Sequence, residues 1–363
     1  MKRNSIFFKI IFCIFLFFII SISTIYSTLN ITNNLGNIFI KQIFSFIIGT
    51  FILVIAYKNK KSIIKYSFIL YIFINFLLIL LLFLGTSING SKCWLMIGPI
   101  SFQPSEFMKI ILIIVIANIL EKNKDNSKVK TFIKILTLML IPSILTFLEP
   151  DTGVVIIYFI SSISIILFKG INKKWYYIIT ILLILLIGTF NYLYFNKQEL
   201  LINILGNSIF YRIDRLLNWS TGTGYQLENS LITIASSGLY GFGFNNIPIY
   251  YPEASTDFIF TSFSSNFGLI GNIFFIAILI IFDSILLQMI NSKIKRRDKY
   301  LIVGIFTMIL YQQIQNIGMT IGLMPITGIT LPFISYGGSS LLSYMFIFGI
   351  ILRINHDYNL YIN

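Results

Sequence analysis

Long apolar runs constrain this 363-residue sequence more than any other feature. A helix needs about 20 apolar residues to cross the hydrocarbon core of a bilayer. Such runs occur at roughly residues 8–27, 38–57, 66–85, 105–120, 132–148, 152–168, 175–195, 264–290, 300–322 and 334–353. Charged residues make up 11% of the chain, against about 25% in soluble domains. The sequence therefore excludes a soluble enzyme and a disordered chain. It predicts an all-α polytopic membrane protein with ten transmembrane helices, in which residues 1–363 form a single integral membrane domain.

Basic residues are distributed unevenly between the loops. Of the 27 Lys and Arg residues, twenty fall on one side of the predicted membrane, four on the other and three within spans. The positive-inside rule then places both termini in the cytoplasm, and it accounts for the net charge of +14 without a nucleic-acid partner. One outer loop, about 196–263, is long enough to carry function, and its segment 200–219 has the periodicity of an interfacial helix. The two cysteines, Cys13 and Cys93, indicate neither a disulfide framework nor a metal cluster.

Acidic residues gather on the side opposite to most of the cations. Eight of the 13 map to the outer half of the spans or to outer loops: Glu106, Glu149, Asp151, Glu199, Asp214, Glu228, Glu253 and Asp257. Ionisable groups near a membrane are costly, so each is a functional candidate. This placement predicts chemistry at the external face.

Two acidic clusters lie in short outer loops. In GSKCWLMIGPISFQPSEFMK (90–109), Glu106 and Lys109 share one helix face, either as a structural ion pair or as substrate contacts. Trp94 in the same segment is an interfacial anchor or a ring that stacks on a sugar. In LEPDTG (148–153), Glu149 and Asp151 suggest a cation, a partner or substrate hydroxyls, unless Asp151 simply caps the next helix.

Two further clusters lie near the ends of late spans. In YYPEASTDFIFTSF (250–263), Asp257 precedes apolar residues, and partial desolvation makes a carboxylate a better base. The alternative is a helix cap formed by Thr256 or Asp257. The segment QNIGMTIGLMPITGITLPFISYGGSSLL (315–342) has Gly and Pro at a density that breaks a helix, so it either lines a binding cavity or packs on protein. Its hydrogen-bonding residues are Asn316, Ser335, Tyr336, Ser339 and Ser340.

Five pieces of the sequence resemble the shape, elongation, division and sporulation (SEDS) family, which includes RodA and FtsW. They are SFQPSEFMK, EPDTG, GYQLENSLITIASSGLYGFG (224–243), PEASTDFIF and NIGMTIGLMPITGITLPFISYGGSS, spread from residue 90 to 340 in the family's order. The first 85 residues match only as hydrophobic spans. The residues of the last motif favour RodA over FtsW, whereas GYQLENS and PEAS are more typical of FtsW.

The resemblance implies a peptidoglycan glycosyltransferase that polymerises lipid II into glycan strands at the outer face of the bacterial cytoplasmic membrane. It implies Asp257 as the catalytic residue, acting on the sugar 4-hydroxyl that attacks the lipid-linked donor. The residues predicted to bind substrate are Trp94, Glu106, Lys109, Asp151, Arg212, Arg215, Glu253, Ser335 and Ser339. The leaving pyrophosphate needs cations, supplied by Lys109, Arg212 and Arg215 or by a divalent ion, Mg or Mn, held by carboxylates. The implied partners are the growing lipid-linked strand, a class B penicillin-binding protein acting as transpeptidase, and membrane proteins of the elongation or division machinery.

The chain also departs from the family pattern. Ser255 stands where the family usually has His, and Ser264, Ser265 and Asn266 stand where it has paired glutamates. If those groups assist proton transfer, Asp257 has less help here. Two other functions fit a polytopic chain: a lipid II flippase and a non-catalytic scaffold. A transporter places its charges near the membrane midplane, whereas these acids gather at the outer edge, which favours the polymerase.

Overall fold

Helices dominate the structure, a computed structural model that describes residues 5–30, 36–88, 91–98, 100–122, 128–170, 192, 197, 200 and 224–362. We number the described helices in chain order. They are α1 (Ser5–Ser27), α2 (Gly36–Lys65), α3 (Ser67–Leu84), α4 (Pro104–Lys122), α5 (Lys128–Leu148), α6 (Thr152–Lys169), α7 (Tyr225–Ser236), α8 (Ile259–Asn291), α9 (Arg296–Thr320) and α10 (Gly338–Ile362).

Eight of the described helices are long and apolar enough to cross a membrane: α1, α2, α3, α5, α6, α8, α9 and α10. The predicted fourth span, 105–120, is also a helix, but α4 carries charged residues at both ends and is almost entirely buried. It packs against α3, α5, α6, α9 and α10. The predicted span 175–195 and the predicted interfacial helix 200–219 fall almost entirely outside the described residues. The polytopic helical fold is confirmed, and the number ten stays a prediction.

The predicted outer loop 86–104 contains a small antiparallel sheet that the all-α prediction missed. Its strands are β1 (Thr86–Ile88), β2 (Ser91–Ile97) and β3 (Ile100–Phe102), in the order β1-β2-β3. Two of these strands have three residues each, too short for an alternating pattern to stand out. Two span starts were also misplaced: α8 begins at Ile259 rather than 264, and α10 begins at Gly338 rather than 334.

The helices enclose one extended hydrophobic core. The 321–337 loop, which joins α9 to α10, enters this core through Phe333. The Phe333 ring lies 5.9 Å from Phe17 of α1, 6.0 Å from Phe282 of α8 and 5.3 Å from Phe348 of α10, measured between ring centroids. This aromatic contact with three helices holds the broken segment in place.

Helix α8 is interrupted at Gly268, where φ is +61° and ψ is −159°. The segment before it in sequence compensates for the lost helical hydrogen bonds. The amides of Leu269 and Ile270 donate to the carbonyls of Gly238 and Leu239 at 3.0 and 3.1 Å, and the Ser265 carbonyl accepts the amide of Phe242 at 2.8 Å. Backbone groups without a partner are costly at membrane depth, so this exchange makes the interruption possible.

At the predicted cytoplasmic end of the bundle, a network of charges joins three helices. Lys60 of α2 is 4% exposed, and its Nζ lies 3.0 Å from Asp298 of α9 and 3.2 Å from Asp357 of α10. Asp357 also accepts a hydrogen bond from Arg353 at 2.8 Å. All three segments were assigned to the cytoplasmic side from their basic residues, and the structure brings them together.

Candidate active site

The outer motifs meet around the 321–337 loop. Glycines mark where this loop packs against its neighbours on two sides. A Cβ added at Gly153 would lie 3.1 Å from the Thr327 carbonyl oxygen, and a Cβ added at Gly328 would lie 3.4 Å from Oδ2 of Asp257. Residues 327–329 therefore separate the LEPDTG turn from the Asp257 loop, two regions that are about a hundred residues apart in sequence.

Asp151 is held by the start of two helices. It is the N-cap of α6, where its Oδ1 accepts the amide of Val154 at 3.4 Å. Its Oδ2 accepts hydrogen bonds from Gln103 Nε2 at 2.9 Å and from Ser105 Oγ at 3.3 Å. Burial and the nearby charge of Glu106 raise the pKa of Asp151. The capping interpretation is thus correct, and the same carboxylate also joins the LEPDTG turn to the QPSE motif.

Glu106 and Lys109 form the structural ion pair considered from the sequence. Their charged atoms are 2.8 Å apart, and the two side chains are 7% and 1% exposed. Lys109 Nζ also lies 5.5 Å from the centre of the Tyr344 ring. Because its charge is already balanced by Glu106, Lys109 is a poor candidate for neutralising a leaving pyrophosphate.

The Asp257 loop is a compact turn in front of α8. Glu253 adopts a positive φ of 57°, and its carbonyl accepts the amides of Thr256 and Phe258 at 3.2 and 3.0 Å. The hydroxyl of Thr256 donates to the Glu253 carboxylate at 2.5 Å. Asp257 is half-buried, and the N-cap of α8 is Phe258, which makes no side-chain capping bond. Helix α8 thus begins one residue later than an N-cap at Asp257 would require.

Ser335 and Ser339 use their hydroxyls to hold backbone. Ser335 Oγ donates to the Thr256 carbonyl at 2.6 Å and accepts the amide of Leu331 at 2.9 Å. Ser339 Oγ accepts the amide of Gln103 at 3.0 Å and donates to the Ser101 carbonyl at 3.2 Å. Both serines are almost fully buried. They place the loops around the site, which is a different role from the substrate contact predicted for them.

The other predicted substrate residues differ in what the structure shows. Trp94 lies in β2, half-exposed, with its carbonyl accepting a hydrogen bond from Thr86 at 3.1 Å. Glu253, four residues before Asp257, is exposed. Arg212 and Arg215 lie outside the described residues. The polar residues in place of the family's glutamates are buried, and Asn266 donates to Ser27 Oγ at 2.5 Å, linking α8 to α1.

Sequence reasoning underestimated Glu149. Its side chain is fully buried, and neither carboxylate oxygen has a hydrogen-bond partner among the residues that the structure describes. Burial, together with the neighbouring charge of Asp151, raises the pKa of Glu149 to about 9. The signal was present in LEPDTG, but the two acids in that motif could not be told apart. Gln103 was also missed as the residue that joins Asp151 to β3.

The described residues do not fit a divalent ion. Among them, no group of three or more His, Cys, Asp or Glu side chains could hold a metal. The carboxylates of Glu106 and Asp151 are already bound to Lys109 and to Gln103, Ser105 and Val154. The divalent cation stays a prediction from the reaction type.

Known proteins resemble this chain over most of its length. A family profile described as "Cell cycle protein", which groups FtsW, RodA and SpoVE, matches residues 2–360. A probable peptidoglycan glycosyltransferase FtsW of Coxiella burnetii is 34% identical over 299 residues, covering 78% of this chain and 77% of that protein.

Solved structures show the same fold. A chain from a peptidoglycan synthase complex has a TM-score of 0.78 at 21% identity, covering 98% of this chain and 97% of that one. The rod shape determining protein RodA of Thermus thermophilus has a TM-score of 0.69 at 22% identity, covering 96% of each chain. Since both FtsW and RodA are among these proteins, the preference for RodA stays a prediction.

Proposed function

Because this chain belongs to the SEDS family of FtsW, RodA and SpoVE, we propose that it is a peptidoglycan glycosyltransferase that polymerises lipid II at the outer face of the bacterial cytoplasmic membrane. One observation carries the proposal: a half-buried carboxylate, Asp257, lies directly before a membrane-spanning helix, with its Oδ2 against Gly328. A relative of which this chain covers more than two thirds is named as a probable glycosyltransferase of this kind.

Asp257 is proposed as the general base. The 4-hydroxyl of the acceptor sugar attacks the anomeric carbon of the lipid-linked donor, so that a carbon–oxygen bond forms. The bond from that carbon to the pyrophosphate breaks, and the hydroxyl proton passes to the Asp257 carboxylate. A single base is enough for one displacement with inversion, and a base of this kind contributes about 10²–10⁴-fold to the rate.

The remaining predicted residues divide into two groups. Asp151, Glu106 and Lys109 are satisfied by protein partners, so we assign them to holding the QPSE and LEPDTG motifs together. The charge on the departing pyrophosphate needs compensation, and Arg212 and Arg215 are the proposed cations, since Lys109 is already paired. Trp94, which is half-exposed, and Glu253, which is exposed, are proposed to contact the glycan.

A transpeptidase partner follows from the same premise. One structural neighbour comes from a peptidoglycan synthase complex that coordinates polymerization and crosslinking. We propose that this chain likewise works with a class B penicillin-binding protein, which crosslinks the strands that this chain polymerises.

The test is polymerisation of purified lipid II by the full chain with its penicillin-binding protein, in detergent micelles and with glycan length measured on a gel. Asp257→Asn preserves the side-chain volume and removes the base, so we expect polymer formation to fall by at least about 100-fold. Glu228→Gln is the control, because it removes a carboxylate exposed on α7 and should leave the rate unchanged.

Detergent micelles do not separate two membrane faces, so a flippase has nothing to transport lipid II across. Neither a flippase nor a scaffold would therefore produce polymer in this assay. Wild-type polymer that disappears in Asp257→Asn but not in Glu228→Gln supports the proposal. Equal polymer from wild type and Asp257→Asn removes Asp257 as the base. No polymer from the folded wild-type complex removes the glycosyltransferase.

A further inference from the structure

We propose that Asn316 and Ser335 are positioning residues for Asp257, which hold the base through its backbone rather than through its carboxylate. The proposal rests on the polymerase function proposed above. It concerns three hydrogen bonds, which we call the carbonyl clamp: those donated by Tyr336, Ser335 and Asn316 to the carbonyls of Ser255, Thr256 and Asp257.

The clamp holds three consecutive peptide groups. The Tyr336 amide donates to the Ser255 carbonyl at 2.8 Å. The Ser335 hydroxyl donates to the Thr256 carbonyl at 2.6 Å, and Asn316 Nδ2 donates to the Asp257 carbonyl at 2.9 Å. All three donors lie at least 59 positions away in sequence. Residues 255–257, which include the proposed base, are therefore held by hydrogen bonds from the C-terminal part of the protein.

Asn316 links the base to the 321–337 loop directly. Its side chain is fully buried in α9, and Nδ2 also donates to the Ile329 carbonyl at 2.8 Å. Both amide protons of Asn316 therefore donate hydrogen bonds, one to the Asp257 loop and one to the 321–337 loop. Ile329 follows Gly328, the residue against which Oδ2 of Asp257 lies. One side chain consequently sets the distance between the carboxylate and the loop it faces.

The donors are themselves anchored in the helix bundle. Ser21 of α1 donates to the Ile334 carbonyl at 2.7 Å, and Gln42 of α2 donates to the Ser335 carbonyl at 3.4 Å. Phe333 is enclosed by the rings of α1, α8 and α10. The clamp therefore connects Asp257 to rigid elements, and α8 itself begins after its N-cap Phe258, the residue that follows the base.

Catalysis depends on such placement because a general base works only within hydrogen-bond reach of the proton it removes. A misplacement of about 1 Å can cost about 100-fold in rate. Removing a clamp donor leaves the carboxylate chemically intact and moves it relative to Gly328. We therefore expect kcat to fall while KM for lipid II stays nearly constant.

The test compares Asn316→Leu and Ser335→Ala with Gln315→Leu. Gln315 is the neighbour of Asn316 on α9, equally buried, and its Nε2 donates to Pro325 in the same loop at 2.7 Å. The other end of its amide, Oε1, accepts the Tyr311 hydroxyl at 3.4 Å on the same helix. It thus removes a loop contact of the same type without touching the clamp. The measurements are kcat, KM, the pH profile of kcat and thermal unfolding, all on the full chain with its partner.

We expect Asn316→Leu and Ser335→Ala to lower kcat by about 10- to 100-fold, with KM within about threefold and a displaced acidic limb of the pH profile. Gln315→Leu should lower thermal stability comparably and change neither kcat nor the pH profile by more than about threefold. If Asn316→Leu does not fold, Ser335→Ala alone decides, since it removes only a hydroxyl.

Three outcomes separate the two proposals. Equal losses of kcat in all three variants, in step with their stability, would overturn the clamp and leave the polymerase intact. An unchanged kcat in Ser335→Ala or Asn316→Leu, with Asp257→Asn inactive, would also overturn the clamp and leave the polymerase intact. An active Asp257→Asn would overturn the clamp together with Asp257 as the base, and an inactive wild-type complex would overturn both the clamp and the polymerase.

Discussion

At the scale of single residues, Glu149 and Asp151 show how two neighbouring carboxyl groups acquire different properties. The Asp151 carboxylate accepts three hydrogen bonds, whereas the buried Glu149 carboxylate accepts none from the described residues, and the pKa of Glu149 is raised to about 9. Below that pH the folded protein keeps a proton that the unfolded chain releases above about pH 4.3. Stability therefore decreases as pH rises between these values, by up to about 1.4 kcal/mol per pH unit.

Glu149→Gln should raise the melting temperature, because the amide is neutral at every pH. The gain should be absent near pH 4 and should grow as pH approaches 9, when thermal unfolding is followed in detergent. Glu228→Gln, the same change at an exposed position, should show no such growth. A Glu149→Gln melting temperature that tracks the wild type at all pH values would mean that Glu149 is ionised in the folded protein.

At the scale of elements, the interruption of α8 depends on the contact between Gly241 and Gly268. An added Cβ at Gly241 would overlap the backbone of Asn266, and one at Gly268 would overlap the backbone of Gly241. Gly241→Ala should therefore cost more than the about 1–2 kcal/mol of a positive φ alone, because the segment 238–242 must move away from α8. The measurement is thermal unfolding of the purified protein.

Gly243→Ala is the matched control for this contact. Gly243 also has a positive φ, +91°, but an added Cβ there meets no atom within 4 Å. It carries the same backbone strain without the overlap, so the difference between the two variants measures the close approach. Equal melting temperatures would show that the segment can yield at no cost.

At the scale of the whole molecule, the site at one end and the charge network at the other are separate assemblies on the same helices. Lys60 joins Asp298 and Asp357, and without it these carboxylates keep only the partly exposed Arg297 and Arg353. Lys60→Met should destabilise the protein by about 1–3 kcal/mol, less than a buried charge left with no partner at all. Lys61→Met, an exposed neighbour, should cost less than about 0.5 kcal/mol.

The double variant Lys60→Met, Asp298→Asn completes this measurement. If the Lys60–Asp298 pair is the main loss, the double variant should recover part of the stability that Lys60→Met removes, since the buried carboxylate of residue 298 is then replaced by a neutral amide. Additive losses in thermal unfolding would show that the two side chains act independently.

The sequence predicted the elements of this fold better than their contacts. Apolar runs located eight described spans, and the basic residues placed the segments of Lys60, Asp298 and Asp357 on one side, where the structure joins them. The short strands around Trp94 were missed because their pairing depends on neighbouring strands. The start of α8 was placed too late because Thr261 and Ser262 interrupt the apolar run, yet both are buried against protein.

The sequence identified candidate residues from their side-chain type, but it did not identify what each side chain contacts. Asp257, Asp151 and the pair Glu106–Lys109 were selected because charges near a membrane are costly. The hydroxyls of Ser335 and Ser339 were assigned to substrate, and the structure gives them to backbone carbonyls and amides from distant segments. A serine, an asparagine or a buried glutamate looks the same in a sequence whichever partner it meets.

The sequence by itself determined that the chain is a polytopic membrane protein, and it selected the acidic residues that are candidates for function. These properties depend on composition and on local hydrophobicity, which act over one span at a time. Only the tertiary structure decided that Asn316 holds Asp257, that Glu149 is buried without a partner, and that α4 lies enclosed by other helices. The physical reason is that burial and hydrogen-bond partnership depend on residues tens to hundreds of positions apart, whose meeting is set by how the helices pack.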